Sequence, residues 1–189
     1  ILVKEKPEAE AVAARLAAGE DFAKLSLEVS VDKAQLPDGG EIGRIVHFRA
    51  SMHVDFLADP EIPVIWRCER EQAGTGAVGD IATHIFSLVQ YLIGDVESLV
   101  ADMEIVTKTR PLLNDFNYGQ QRKATGEAPR KEVTTDDIVT LLCRFKGGGM
   151  GTIDVSRVAT GRKFAQSYEV YGTKGALTCA FLRDLPLPM

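Results

Sequence analysis

Residues 71–94 read EQAGTGAVGDIATHIFSLVQYLIG, and the glycines near the start of this stretch decide which fold the sequence predicts. Gly74, Gly76 and Gly79 have the spacing G-x-G-x-x-G, the pattern of the turn that binds a dinucleotide pyrophosphate. Such a turn follows a buried strand inside a βαβ unit. Residues 66–72, WRCEREQ, are instead polar, and no second strand of such a unit follows at the expected spacing. The sequence therefore predicts that these glycines lead into a helix and that the chain has no complete dinucleotide-binding domain.

The helix that we predict from about residue 78 to residue 93 places an acid and an imidazole near its start. Its buried stripe consists of Ile81, Ile85, Leu88, Val89 and Leu92. Asp80 and His84 lie one turn apart on one flank of that stripe. Histidine is the usual general acid or base because its proton moves near neutral pH. Both residues are therefore candidate catalytic residues; the alternative is that Asp80 only caps the helix and that His84 binds a carbonyl group.

Alternating apolar residues elsewhere in the chain predict a sheet with one buried face. From residue 46 to residue 56 the even-numbered residues are apolar and the odd-numbered ones polar, typical of an antiparallel or mixed sheet covered on one side. Residues 99–105 alternate similarly, residues 138–181 predict a meander of short antiparallel strands, and polar residues 111–132 predict a long loop. The polar face of the first strand is interpreted as an oligomer or solvent surface; it carries His47, Arg49, His53 and Asp55.

The N-terminal part of the chain has a different pattern. Residues 8–30 predict a short helical segment, and the break at Pro37-Asp-Gly-Gly40 predicts a boundary. We therefore divide the chain into a segment of residues 1–38 and a domain of residues 39–189. Because the chain begins with Ile1 inside a predicted strand, we expect it to be a piece of a longer polypeptide.

The composition of the 189 residues argues against several classes of function. The formal charge of −5 and the pI of about 5.3 disfavour a nucleic-acid partner. No apolar run approaches the ~20 residues needed to span a bilayer, so no membrane partner is expected. Three widely spaced cysteines suit neither a disulfide framework nor a zinc site. No metal site is therefore predicted, and a cytoplasmic location is favoured.

Several blocks of residues 40–189 resemble the C-terminal domain of the glucose–fructose oxidoreductase / inositol dehydrogenase (Gfo/Idh/MocA) family. In the family's order, they are GEIGRIVHFR (40–49), PVIWR (63–67), AGTGAVGDIATH (73–84), YLIG (91–94), TRP (109–111) and YEVYGTKG (168–175). The resemblance implies an α+β fold with an open, mostly antiparallel sheet and helices on one face. Because the other face commonly makes oligomer contacts in the family, we expect a homo-oligomer.

The resemblance also implies a chemistry. Members of the family are NAD(P)-dependent oxidoreductases of sugars, polyols and related hydroxy compounds, and their N-terminal half is a Rossmann domain, which is not found here. In the matching motif, His84 would relay the proton of the substrate hydroxyl beside the nicotinamide, and Asp80 would help to hold that hydroxyl. The family's usual acid three residues after the histidine is Ser87 here, a departure that bears on substrate choice.

Four further residues are candidates for binding. Trp66 and Arg67 line the substrate cleft if this chain follows the family; otherwise Trp66 is a core anchor with Arg67 stacked on it. Arg162 belongs to a basic cluster with Arg157 and Lys163 that contacts either an anionic substrate group or only solvent. Lys6 matches the family's cofactor-side lysine only by the letters Glu5-Lys6-Pro7.

Residues 1–32 resemble a different family, the parvulin-type prolyl isomerases, in their first strand and helix. The most specific part is RLAAGEDFAKL, residues 15–25. The second half of a parvulin, which would complete its site, is not recognisable here.

We therefore expect the substrate-binding half of an NAD- or NADP-dependent sugar or polyol oxidoreductase that is inactive without a nucleotide-binding domain. The alternatives are a prolyl isomerase fragment and a non-enzymatic assembly module.

Overall fold

The computed structural model describes residues 6–20, 25, 28–29, 42–113 and 128–183. Helix α1 spans Lys6–Ala17, and strand β1 spans Ile45–His53. A 3₁₀ turn (Trp66–Cys68), helix α2 (Arg70–Ala73), a π-helical turn (Val78–Ala82) and helix α3 (Thr83–Leu92) follow. The remaining strands are β2 (Val96–Glu104), β3 (Thr109–Pro111), β4 (Arg130–Glu132), β5 (Ile138–Phe145), β6 (Met150–Ser156), β7 (Phe164–Gly172) and β8 (Ala176–Arg183). The predicted boundary between residues 38 and 39 lies outside the described residues.

Six strands form one open sheet in the order β2-β5-β6-β1-β7-β8, and β3 and β4 form a separate two-stranded sheet. In the large sheet, every neighbouring pair is antiparallel except β1 and β6, which are parallel. The predicted fold class, α+β with an open and mostly antiparallel sheet, is confirmed. Among the described helices, none is long and apolar enough to cross a membrane.

Two predictions of local order are wrong. The meander predicted over residues 138–181 is interrupted, because β1 lies between β6 and β7. The loop predicted over residues 111–132 is wrong at its two ends, because its first residue belongs to β3 and its last three form β4; residues 114–127 lie outside the described residues. The first error arises because alternation within a segment shows which face is buried, but does not show which distant strand becomes its neighbour. The second arises because the three residues of β4 are all polar and exposed, so no apolar alternation reveals the strand.

Strand β1 shows where alternation predicts burial correctly and where it fails. Phe48, Ala50 and Met52 are buried as predicted, and Arg49 between them is exposed. Val46 was predicted in the same buried set, but 37% of it is exposed. The cause is a register shift between Ile45 and His47 in the pairing with β7, since such an irregularity breaks the alternation of faces.

The core lies between the inner face of the sheet and the helical segment formed by the π-helical turn and α3. Ile85 and Val89 of α3 have no exposed surface, and Phe48 of β1 packs edge-on against Phe145 of β5 with ring centroids 6.2 Å apart. A helix about 10 Å wide covers about two strands spaced ~4.8 Å apart, so α3 covers the centre of the sheet and not its flanks. Leu99 and Met103 of edge strand β2 alternate as predicted, yet 48% and 53% of their surfaces are exposed.

We predict that Val139→Ala destabilises the domain, because Val139 has no exposed surface and its two methyl groups fill the core. The lost transfer energy and the cavity together cost about 1–3 kcal/mol. Val100→Ala is the matched control, since Val100 lies on the adjacent strand with 72% of its surface exposed. Urea unfolding should separate the two variants, and equal midpoints would contradict the assigned faces.

Candidate functional site

The glycines at residues 74–79 serve the entrance of the helix. The carboxylate of Asp136 accepts hydrogen bonds from the backbone N–H groups of Gly76 (2.8 Å) and Val78 (2.9 Å), and its carbonyl oxygen accepts one from the N–H of Ala77 (2.9 Å). A Cβ atom on Gly76 would lie 1.9 Å from the carbonyl oxygen of Asp136. Gly76 is therefore required by the close approach of residue 136 to the first turn of the helix.

This geometry does not fit a dinucleotide. The stretch follows helix α2 and not a strand, and the N–H groups that a phosphate would need already bind an internal anion, the carboxylate of Asp136. In this structure the glycine stretch therefore brings the backbone at the start of the helix close to a carboxylate of the same chain.

Asp80 lies in the π-helical turn and forms an ion pair with Arg67. The Nε atom of Arg67 donates to Oδ1 of Asp80 over 3.1 Å, and the two side chains are 25% and 28% exposed, respectively. The guanidinium carbon of Arg67 lies 4.4 Å from the ring centroid of Trp66, whose surface is 49% exposed. Trp66 is therefore not a core anchor: it offers an aromatic surface to solvent with a guanidinium group against it.

His84 lies at the start of α3 and is exposed. Among the described residues, its imidazole ring forms no side-chain hydrogen bond and no ion pair. The sequence predicted a regular α-helical turn between Asp80 and His84, but the segment up to Ala82 is π-helical. Single π-helical turns are frequent at functional sites.

A buried network connects the Trp66–Arg67 turn to the rest of the domain. Arg157 and Asp137 are both fully buried and form an ion pair of 2.8 Å between Nε and Oδ1. The Nη1 atom of Arg157 donates to the carbonyl oxygen of Arg67 (3.0 Å), and so does the hydroxyl group of Thr135 (2.8 Å). The turn that presents Trp66 and Arg67 is therefore fixed through its backbone.

The predicted basic cluster is not a cluster in the structure. Arg157 is buried in the network just described, and Lys163 forms an ion pair of 2.9 Å with Asp55. Arg162 is exposed in the connection between β6 and β7, where its backbone N–H group donates to the carbonyl oxygen of Ala159. The prediction failed for Arg157 because sequence spacing does not show that a cation at the end of a strand has a buried carboxylate opposite it.

Lys6 begins helix α1, and none of the residues of that helix is buried. Its ammonium group lies 3.8 Å from a carboxylate oxygen of Glu10, and 88% of its side chain is exposed. The structure thus places Lys6 on a solvent-facing helix.

The signal that would have revealed the network is the run Val133-Thr-Thr-Asp-Asp137. Asp136 and Asp137 are buried, and two adjacent acids directly before an apolar strand are expected to be exposed unless they are paired.

A groove beside this run and the Trp66 turn is lined by Glu69, Arg70, Glu71, Lys131, Glu132 and Thr134. In it, the hydrogen bond from the ammonium group of Lys131 lowers the pKa of Glu69. The described residues contain no group of three or more side chains that could hold a metal ion.

Comparison with known proteins gives a consistent result for most of the chain. Residues 33–178 match the family model described as GFO/IDH/MocA C-terminal domain. Levoglucosan dehydrogenase of Pseudarthrobacter phenanthrenivorans is 35% identical over 144 residues, which are 76% of this chain and 37% of that protein. The solved apo form of levoglucosan dehydrogenase covers 79% of this chain with 35% identity and a TM-score of 0.70, and this chain covers 38% of it. The complex of that enzyme with NADH and L-sorbose has a TM-score of 0.67 at 34% identity, over 79% of this chain and 36% of that one.

A short part of the chain has a second relative. The foldase protein PrsA of Clostridium kluyveri is 45% identical over 58 residues, which are 31% of this chain and 17% of that protein. The chain thus spans little more than a third of the dehydrogenase that it matches and a sixth of the foldase.

We predict that Gly76→Ala strongly destabilises the domain, because its methyl group would overlap the backbone of Asp136. The expected cost is about 3 kcal/mol, at the upper end of the usual cost of overpacking. Gly147→Ala is the control, since a Cβ atom there meets nothing within 4 Å and should change the free energy of unfolding by less than ~0.5 kcal/mol. A Gly76→Ala variant as stable as the Gly147→Ala variant in urea would show that residue 136 does not approach the helix this closely.

Proposed function

Because the chain belongs to the GFO/IDH/MocA family, of which it contains a C-terminal domain, we propose that it forms the substrate-binding half of an NAD(P)-dependent sugar or polyol oxidoreductase. The observation that carries the proposal is the arrangement of Trp66, Arg67 and Asp80 beside the helix that bears His84. An exposed aromatic ring, a charged hydrogen-bonding pair and an exposed imidazole are the groups needed to hold a polyhydroxylated ring and to exchange a proton with it.

The chemistry follows from the reaction type. Oxidation of an alcohol to a carbonyl group releases one proton and one hydride ion. The residues of this domain can accept the proton, whereas the hydride ion goes to the dinucleotide. We assign the hydroxyl proton to His84, whose imidazole is exposed and can pass it on to water. Asp80 accepts a hydrogen bond from the substrate, and Arg67 balances the charge of Asp80.

The substrate class is supported by what the similar enzymes are known to bind. Levoglucosan dehydrogenase has been solved in complexes with NADH alone, with NADH and L-sorbose, and with NADH and levoglucosan. We propose a sugar or polyol for this chain as well, with Trp66 packing on the ring. Arg162 remains a proposed contact for an outer part of the substrate, and Lys6 is not favoured as a cofactor contact because its helix buries no residue.

The cofactor would be held by another part of the protein. The glycine stretch of this domain binds Asp136 and does not fit a pyrophosphate. We therefore propose that NAD or NADP is bound outside residues 39–189 and that this chain alone does not catalyse the reaction. The three cysteines, Cys68, Cys143 and Cys179, are free thiols, which suits the proposed cytoplasmic location.

The proposal predicts a specific loss of activity when His84 is replaced. In a chimera that carries residues 39–183 of this chain in place of the matching part of levoglucosan dehydrogenase, His84→Gln should lower kcat/KM for a sugar about 10²–10⁴-fold, the usual contribution of a general base. His47→Gln is the matched control, since His47 lies on β1 and stacks on Tyr171. NADH formation is the measurement.

Two results would contradict this assignment. One is a chimera that oxidises sugars equally well with and without His84. The other is sugar-dependent NADH formation by the isolated chain, which would show that it binds the dinucleotide itself.

We further propose that the outer face of the sheet mediates a homo-oligomer. The centre of this face is polar, with Arg49 paired to Glu169, while Val100 and Leu142 form an exposed apolar pair on neighbouring strands near its edge. Protein interfaces combine an apolar core with a polar rim, so the Val100–Leu142 pair would form the core of the contact and the polar strands its rim.

The oligomer proposal predicts that Val100→Lys shifts the sedimentation coefficient towards that of a monomer, because it places a charge in the apolar part of the contact. Leu99→Lys is the control, since Leu99 lies on the same strand, points to the opposite face and is also exposed. Identical sedimentation of the two variants would exclude the outer face as the interface.

The N-terminal segment, residues 1–38, is proposed to be separate from the domain. Helix α1 buries none of its residues, and the match to the foldase is short. We propose that this segment resembles a prolyl isomerase but does not catalyse prolyl isomerisation. An assay that follows the cis–trans isomerisation of a proline peptide tests this directly.

A further inference from the structure

Residues 135 and 136 contact both halves of the proposed site. One half is the 3₁₀ turn that presents Trp66 and Arg67, and the other is the helical segment that presents Asp80 and His84. Thr135 binds the first half through the carbonyl oxygen of Arg67, and Asp136 binds the second half through the N–H groups at its start. Thr135 and Asp136 are adjacent in the sequence, so one peptide bond joins the residue that binds the Trp66–Arg67 turn to the residue that binds the helical segment.

The contact of Thr135 is fixed in direction. Its hydroxyl group donates its one hydrogen to the carbonyl oxygen of Arg67 (2.8 Å), and its oxygen accepts a hydrogen bond from Nη2 of Arg157 (2.9 Å). Arg157 in turn donates through Nη1 to the same carbonyl oxygen, and its Nε is held by the buried carboxylate of Asp137. Because Thr135, Arg157 and Asp137 have no exposed surface, water does not compete for these bonds.

The contact of Asp136 is equally restrained. Its two carboxylate oxygens accept hydrogen bonds from different N–H groups, and its carbonyl oxygen accepts a third from Ala77, which is fully buried. Asp80 follows two residues after the last of these groups. The start of the helical segment therefore cannot rotate or slide without breaking charge-assisted hydrogen bonds.

We propose that Thr135 and Asp136 are positioning residues that together set the distance between Arg67 and Asp80, and that Thr135 also sets the packing of Arg67 on Trp66. Neither residue touches the substrate. Thr135 orients the Trp66–Arg67 turn, and Asp136 orients the helical segment. The consequence for catalysis rests on the proposed function, whereas the positioning itself does not.

The test uses the full chain without ligand, because Trp66 is its only tryptophan. Thr135→Val keeps the shape of the side chain and removes the hydroxyl group, so Arg67 should leave the ring of Trp66 more often. We expect the Stern–Volmer constant for acrylamide quenching of Trp66 to rise about two-fold, since exposed cation–π contacts are weak. Thr135→Ser keeps the hydroxyl group and should restore the wild-type constant.

Asp136→Asn provides the second arm. It should leave quenching of Trp66 close to the wild-type value while it accelerates amide hydrogen exchange of Gly76 and Val78, since it weakens their acceptor. Quenching that is unchanged in a folded Thr135→Val variant overturns the role of Thr135. Exchange that is unchanged in Asp136→Asn overturns the role of Asp136.

If Thr135→Val does not fold, the wild-type chain gives the decisive measurement. Nuclear magnetic resonance should show a slowly exchanging hydroxyl proton for Thr135 and separate signals for the two Nη groups of Arg157. A hydroxyl proton in fast exchange, or averaged Nη signals, overturns the proposal. Measuring the fluorescence of Trp66 while levoglucosan is added tests only the proposed function. If the fluorescence does not change, the result of the quenching experiment still holds.

Discussion

The structure depends on one buried ion pair, between Asp137 and Arg157. Both side chains are fully buried, and the carboxylate of Asp137 also accepts hydrogen bonds from the N–H groups of Val106 and Thr107. Removing one partner of such a pair costs about 3–5 kcal/mol, because an uncompensated charge stays buried. The pair lies where β5 begins and β6 ends, so it brings together the connections that leave the sheet at this end. The Trp66–Arg67 turn is one of them, and its position depends on this pair through the carbonyl oxygen of Arg67.

A second buried arginine shows that the pair has a particular role. Arg110 is also fully buried, but its guanidinium group donates to the carbonyl oxygens of Leu57, Asp59 and Ile62. Burial lowers the pKa of Arg110. Arg110 therefore holds one loop in place, whereas Arg157 joins a carboxylate, a hydroxyl group and the backbone of the proposed site. The partly exposed Asp80–Arg67 pair, worth about 0–1 kcal/mol, contributes little to stability and remains available to a ligand.

Much of the fold could be predicted from the sequence, and the reasons for the exceptions are physical. Alternation from Phe48 to Met52 and the stripe through Ile85 and Val89 predicted which faces are buried, because each pattern depends only on local geometry. The insertion of β1 beside β6 could not be predicted, since it depends on a pairing between segments about 100 residues apart. In the site, Asp80 could be singled out by its spacing from His84. Arg67 could be named only through the family resemblance. Its pairing with Asp80, and the hydrogen bonds that Thr135 and Asp136 make behind it, could not be predicted, because local spacing does not show which groups a side chain will meet.

The glycine stretch shows why a pattern of letters can have a physical basis and still mislead about function. A dinucleotide turn needs glycine because the backbone at the start of a helix must approach an anion closely and present N–H groups to it. Gly76 meets the same requirement here, since its N–H group and that of Val78 bind a carboxylate at hydrogen-bond distance. The difference is the origin of the anion. In a dinucleotide turn it is the ligand, so the site binds from solvent; here it is Asp136 of the same chain, so the binding energy contributes to folding. The same device that elsewhere holds a cofactor therefore holds in place the helix that carries Asp80 and His84, and the residue that distinguishes the two cases lies 60 positions away from Gly76.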